Sequence, residues 1–127
     1  MNLEKVIFGF FVILALSLNL AFVIGEIDDP AHHDVITFFL VVVVNIIATG
    51  LKLGDRSQTG ALLLATSLVA DLLLIAAAII WTFAVHVWDT GMLPNHTAII
   101  VSLAGGALLA NFVSVATVVG ETLMLRR

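Results

Sequence analysis

Residues 59–85, "TGALLLATSLVADLLLIAAAIIWTFAV", hold a single charge, Asp71, in an otherwise uncharged run. A bilayer core of about 30 Å is crossed by roughly 20 apolar residues in helix, with a range of ~17–25, so this run is long enough to span with some tilt. Three further runs of the same character lie at 6–24, 35–51 and 97–120. The second of them is at the short limit. None shows the alternation of polar and apolar residues that a membrane β-barrel needs, even in the Val-rich "FFLVVVVNII" (38–47). Unbroken apolar runs that must satisfy their own backbone in lipid are helices.

Composition agrees. The 127 residues are 61% hydrophobic and 11% charged, with a mean hydropathy of +1.20. A soluble domain averages roughly 45–50% apolar and about 25% charged, and a chain this short cannot hide such an excess inside itself. The surplus faces lipid. There is no cysteine, which removes disulfides and thiolate metal sites, and no basic run of the kind that binds nucleic acid. The first run is longer than a signal-peptide core and is followed by "GEIDDP" (25–30) rather than a small-x-small cleavage site, so it is expected to remain as an anchor.

The connections "GEIDDPAHHD" (25–34), "KLGDRSQ" (52–58) and "HVWDTGMLPNH" (86–96) are short, polar and punctuated by Gly and Pro. Asn95 is the expected N-cap of the fourth helix. Short loops make sequential helices antiparallel neighbours, which predicts an all-α four-helix bundle, up-down-up-down, as a single membrane domain over 1–127. All five basic residues, Lys5, Lys52, Arg56, Arg126 and Arg127, fall on one side of it. The positive-inside rule makes that side, with both termini, cytoplasmic. The other side carries Glu26, Asp28, Asp29, Asp34, Asp89 and all four histidines, with Trp81 and Trp88 expected as interface aromatics.

Depth follows by counting. Asp71 is 12 residues beyond Thr59, or ~18 Å along its helix at 1.5 Å per residue, near the bilayer centre. The same count puts Asn19, Asn45 and Asn111 at a similar level, so that each helix contributes one strongly polar side chain to an expected midplane layer. Ser67, Thr49 and Ser114 share faces with Asp71, Asn45 and Asn111. A polar track from Glu26 on the outside to Lys52 on the inside is conceivable. Asparagine, serine and threonine in membrane helices often serve as hydrogen-bonding glue. A carboxylate there costs ~2.5–3.5 kcal/mol on insertion scales, and by this count no Lys, Arg or His is embedded to pair with it. Asp71 is therefore either a neutral acid bonded to Asn45 or Asn111, or an ion-handling group.

Ser102, Gly106, Ala110 and Ser114 repeat every four residues, a small-residue spacing that lets helices approach closely, within the bundle or between subunits. His32, His33, His86 and His96, with the loop aspartates, have the donor chemistry for Zn²⁺ or a similar ion, although their spacing fits no defined metal motif. Phosphate-binding loops, HExxH and nucleophile–base pairs are missing, so neither an enzyme nor a cofactor is expected.

The length and four spans invite comparison with fluoride channels and small multidrug-resistance transporters, but the first-helix glutamate of the latter is replaced here by Asn19, and the phenylalanine-box and broken-helix motifs of the former are lacking. The segments "MNLEKVIFGFF" (1–11) and "LLLATSLVADL" (62–72) resemble a family of small, uncharacterised four-span proteins of the bacterial inner membrane. That resemblance implies a location and no activity. The residues themselves favour an oligomeric cation channel or ion-coupled transporter with Asp71 at its centre, with Glu26, Asp28 and Asp29 concentrating cations at the outer mouth. The alternative is a non-conducting accessory subunit of a larger membrane complex. The expected partners are the lipid bilayer and further copies of the chain.

Overall fold

The structure, a computed structural model, describes residues 3–25, 28–54, 58–88 and 91–125. Four helices make up the bundle: α1 (Leu3–Val23), α2 (Val35–Lys52), α3 (Gln58–Thr82) and α4 (Pro94–Leu125). A 3-10 turn, Pro30–His32, precedes α2, and a five-residue π-helical turn, Phe83–Val87, carries α3 outward. All four helices are long and apolar enough to cross a membrane. The chain is a small multi-helix membrane protein.

α1 packs against α2 and α4, and α3 packs against the same two, with α3–α4 the most extensive contact. The buried positions explain the ring. On α3 they are Gly60, Leu63, Ser67, Ala70, Leu74 and Ala77, followed within the π turn by Ala84. On α1 they are Val12, Ala15, Asn19 and Phe22. On α2 they are Phe38, Val41, Val44, Asn45, Ala48 and Lys52. Within the α-helices, and with Val44 set aside, these positions alternate steps of three and four, a 3.5-residue repeat that is the period of left-handed knobs-into-holes packing. Small residues dominate what α3 and α4 bring to the core, where Ala70, Ala77, Ala104, Ala107 and Ala110 are buried. Leu68, Leu72, Ile75 and Ile79 of α3, and Leu109 and Phe112 of α4, are turned outward, as the helices of a membrane bundle present apolar side chains to their surroundings.

The start of α4 differs from expectation. α4 begins at Pro94, one residue before Asn95. Proline suits a first helical position because its missing N–H would be unpaired there anyway. Asn95 therefore lies inside the first turn, and the first helical bond runs from Thr97 N to Leu93 O (3.0 Å), joined there by Thr97 Oγ1 (3.2 Å). α2 is capped by Asp34, whose carboxylate accepts from Thr37 N (3.1 Å).

At the loop end near residue 30, Phe22, Phe38 and Trp81 form an aromatic plug, with ring centroids 5.1 Å (Phe22–Phe38) and 5.2 Å (Phe38–Trp81) apart. Trp81 is thus half-buried packing material, whereas Trp88 is exposed and stacks on Phe83 and His96. Gly25 turns the chain out of α1 at φ 111°, and a Cβ there would stand 2.7 Å from His32 Cβ. Conformation and space both require glycine.

Candidate functional site

The expected midplane layer divides into two polar assemblies. The first joins α1 to α4. In the amide orientation that satisfies its surroundings, Asn19 donates to Ala104 O (3.0 Å) and accepts from Leu108 N (3.0 Å) and Asn111 Nδ2 (3.0 Å). Ala104 O and Leu108 N are the two ends of one i→i−4 rung, so the carboxamide of α1 bridges a rung of α4 beside Gly105 and Gly106. Both asparagines are buried.

The second assembly joins α2, α3 and α4, and Lys52 organises it. The sequence placed Lys52 at the cytoplasmic face and left no basic residue inside. The structure corrects the second point: Lys52 is 2% exposed. Its position as the last residue of α2 is the reason, because helical side chains lean toward the helix N-terminus and Lys52 therefore reaches back into the bundle. The ammonium donates to Ser67 Oγ of α3 (2.5 Å) and Ser114 Oγ of α4 (3.0 Å). Ser114 Oγ also bonds Thr66 Oγ1 (2.5 Å), which reaches the Leu63 carbonyl at 2.8 Å.

Asp71 lies one turn from Ser67 on the same side of α3, at the seam with α2. Its partner is neither Asn45 nor Asn111. Thr49 Oγ1 of α2 lies 2.5 Å from Asp71 Oδ2 and 2.9 Å from Asn45 O. Asn45 turns its own amide back to Val41 O (2.8 Å). Asp71 Oδ1 is buried and makes no hydrogen bond. Lys52 and Asp71 interact electrostatically, yet no direct ion pair joins them among the described residues.

Of the expected site residues, Asp71, Thr49, Ser67 and Ser114 come together, Asn19 and Asn111 form the neighbouring assembly, and Asn45 touches the cluster only through its carbonyl. Glu26 lies outside the described residues. Lys52 was read as one of the cytoplasmic basic residues and as the inner end of a track, although its spacing from Thr49 and Asn45 (i+3 and i+7) marks it as sharing their inward face. Thr66 was not singled out; its neighbour Ser67 carried the face signal.

The small-residue stripe is not one face. Ser102 is exposed, Gly106 half-buried, and Ala110 and Ser114 buried. A four-residue step advances about 40° around a helix beyond a full turn, so the stripe winds from the surface into the core. At Gly106 a Cβ would come 2.9 Å from Leu73 Cδ1, which places this glycine in the α3–α4 packing.

The histidines do not assemble. His33 is buried, with Nδ1 2.6 Å from Phe22 O, where it caps the end of α1 as an N–H donor. His32 Nε2 is 3.6 Å from Asp29 Oδ2, and Asp29 also accepts from Ala31 N (2.9 Å). His96 stacks on Trp88 with its Nδ1 unbonded, and His86 is exposed on the π turn. Among the described residues no three His, Cys, Asp or Glu side chains converge where an ion could be held.

A family of unknown function (DUF6394) matches residues 32–122. The chain belongs to this family. The DUF6394 match takes in Thr49, Lys52, Thr66, Ser67, Asp71 and Ser114 together and stops short of Asn19. No curated protein and no solved structure matches the chain.

Proposed function

We propose that this DUF6394 protein is a small ion-coupled transporter or channel for cations, with Asp71 as the group that carries the ion. One observation supports the reading above the others: Asp71 Oδ1 is buried without a hydrogen bond inside a cluster whose hydroxyls and ammonium are bonded. Buried carboxylates without a full set of partners are expensive, and acids inside membrane helices are functional candidates for that reason. Thr49 orients the carboxylate, while Ser67, Ser114 and Lys52 set the charge around it. The embedded ammonium speaks against a wide passage for bare metal cations and for a coupled, one-ion-at-a-time mechanism.

The orientation we propose has both ends of the chain in the cytoplasm of a bacterial inner membrane. With Lys52 turned inward, it rests on Lys5, Arg56, Arg126 and Arg127. A homo-oligomer is proposed as the working form, since a single bundle of this size leaves little room for a water-filled path.

The test is flux in proteoliposomes, with native mass spectrometry reporting assembly. Asp71→Asn should abolish flux without changing the oligomer; undiminished flux would remove Asp71 from the mechanism. A second reading, the non-conducting accessory subunit, is favoured by the way the Lys52 bonds close on Ser67 and Ser114 within the chain, as a rigid scaffold would need. It requires a stoichiometric partner to co-purify from native membranes, and self-association alone would count against it.

A further inference from the structure

We infer that the ion at Asp71 is the proton, and that Lys52 is its internal replacement. With Asp71 protonated, the ammonium rests on the Ser67 and Ser114 hydroxyls. When the carboxyl O–H bond breaks and the proton leaves to water, the ammonium moves along α3 onto the carboxylate left behind. This rests on the reading of Asp71 as an ion-carrying group and names the ion.

The hydrogen-bond arithmetic supports two states. Thr49 has one hydroxyl proton and two acceptors in reach, Asn45 O at 2.9 Å and Asp71 Oδ2 at 2.5 Å. When that proton points to Asn45 O, Thr49 can only accept from Asp71, and only a protonated carboxyl can donate. When it points to Asp71, the carboxylate accepts, and Asn45 O keeps its own helical bond. Thr49 thus serves both forms of Asp71 with a rotation about one bond.

Lys52 completes the exchange. An ammonium has three N–H donors, and Ser67 and Ser114 take two of them. Ser67 and Asp71 are four residues apart on α3, about 6 Å of rise, within the swing of a flexible four-carbon stem. An ionised Asp71 with Oδ1 unpartnered is a state the low-dielectric interior penalises until a charge joins it. Among the described residues Lys52 is the one charged side chain packed toward Asp71. The other groups of this cluster are hydroxyls and a carbonyl, Thr49 and Asn45 O of α2, Ser67 and Thr66 of α3 and Ser114 of α4, and none of them carries a charge. A metal cation would meet the resident ammonium as a competitor for the same oxygens. A proton becomes part of the carboxyl group and leaves the ammonium its hydroxyl cradle.

The chain has two lysines, Lys5 and Lys52, so the exchange can be followed directly. Protein labelled with ¹⁵N at lysine Nζ and ¹³C at aspartate Cγ, in lipid vesicles, is measured by magic-angle-spinning NMR over a pH series, with backbone shifts reporting the fold. The expected result is a Lys52–Asp71 dipolar coupling that is absent at acidic pH and appears at alkaline pH. Ser67→Ala with Ser114→Ala should strengthen the coupling at any given pH, and Asp71→Asn should remove it throughout. An ammonium that stays on Ser67 and Ser114 across the series, or a coupling that ignores pH, overturns the inference. Coupling that responds to pH in a protein without flux would sink the transport reading and leave this site standing. Flux without the coupling would do the reverse.

Discussion

Lys52 at the end of α2 donates to Ser114 of α4 across 3.0 Å, bracing two helices that face each other diagonally across the bundle. The other helix contacts run around the ring. This one crosses it, and it does so with a charge-assisted bond in a place where charge is costly to leave unpaired.

Removing either serine should therefore be tolerated better than removing both. Hydrogen bonds to charged groups are worth about 1.5–3 kcal/mol, and after one loss the ammonium retains the other hydroxyl. Ser67→Ala and Ser114→Ala are each expected to lower stability in detergent by about 1–2 kcal/mol. The double variant should lose more than the sum, with a coupling of roughly 0.5–3 kcal/mol. Chemical unfolding of the four proteins of the cycle measures it, and strict additivity would mean that the two hydroxyls do not share one ammonium.

Thr49 gives a sharper test of the site than Asp71 itself, because its substitution leaves the acid in place. Thr49→Val keeps the shape and removes the hydroxyl. If the transport reading holds, the lost bond to a charged group, about 1.5 kcal/mol or more, should lower flux by about tenfold or more. Thr49→Ser should restore it. Equal flux in all three proteins would leave Thr49 as a packing residue.

The four helices were legible because hydrocarbon thickness converts directly into residue number. Depth is only one coordinate, though. By residue count Asn45 and Asn19 are expected at comparable depth, yet Asn45 bonds its own helix at Val41 while Asn19 reaches across to α4. The azimuth that decides this comes from the 3.5-residue repeat of buried positions, which in lipid is hard to see in the sequence: the outward side is as apolar as the inward one. The burial of Lys52 was missed for a related reason. A basic residue at a helix end signals topology when it points to water, but the backward lean of helical side chains points this one inward. Its inward face was visible in its spacing from Thr49; its partners on α3 and α4 were not, since pairing between helices has no fixed sequence distance.

The same azimuthal argument separates the members of the small-residue stripe. Gly106 faces Leu73 across the α3–α4 seam, and Ser102 faces outward. Gly106→Ala asks only for a shift of a flexible Leu73 terminus. Gly106→Leu overpacks the seam and should cost about 1–3 kcal/mol, seen as a lower unfolding midpoint with the oligomeric state unchanged. Ser102→Leu should leave stability as it is. The opposite pattern, a stable monomer from Gly106→Leu and a lost assembly from Ser102→Leu, would move Ser102 to a subunit interface.

Asn19 offers the last test, because its amide holds a backbone rung and a side chain at once. Ala104 O and Leu108 N can still bond each other if the amide is removed, so those groups lose little. Asn111 Nδ2 loses its acceptor outright. Side-chain hydrogen bonds in membrane proteins average about 0.6 kcal/mol and reach about 1.7, and Asn19→Leu, close in volume, should cost about 1–2 kcal/mol. The partner then decides the interpretation. In the Asn19→Leu background, Asn111→Leu should cost less than it does alone, because an amide without its acceptor is already a burden inside the bundle. If Asn111→Leu costs the same in both backgrounds, the two asparagines are independent, and the α1–α4 contact is held by apolar packing alone.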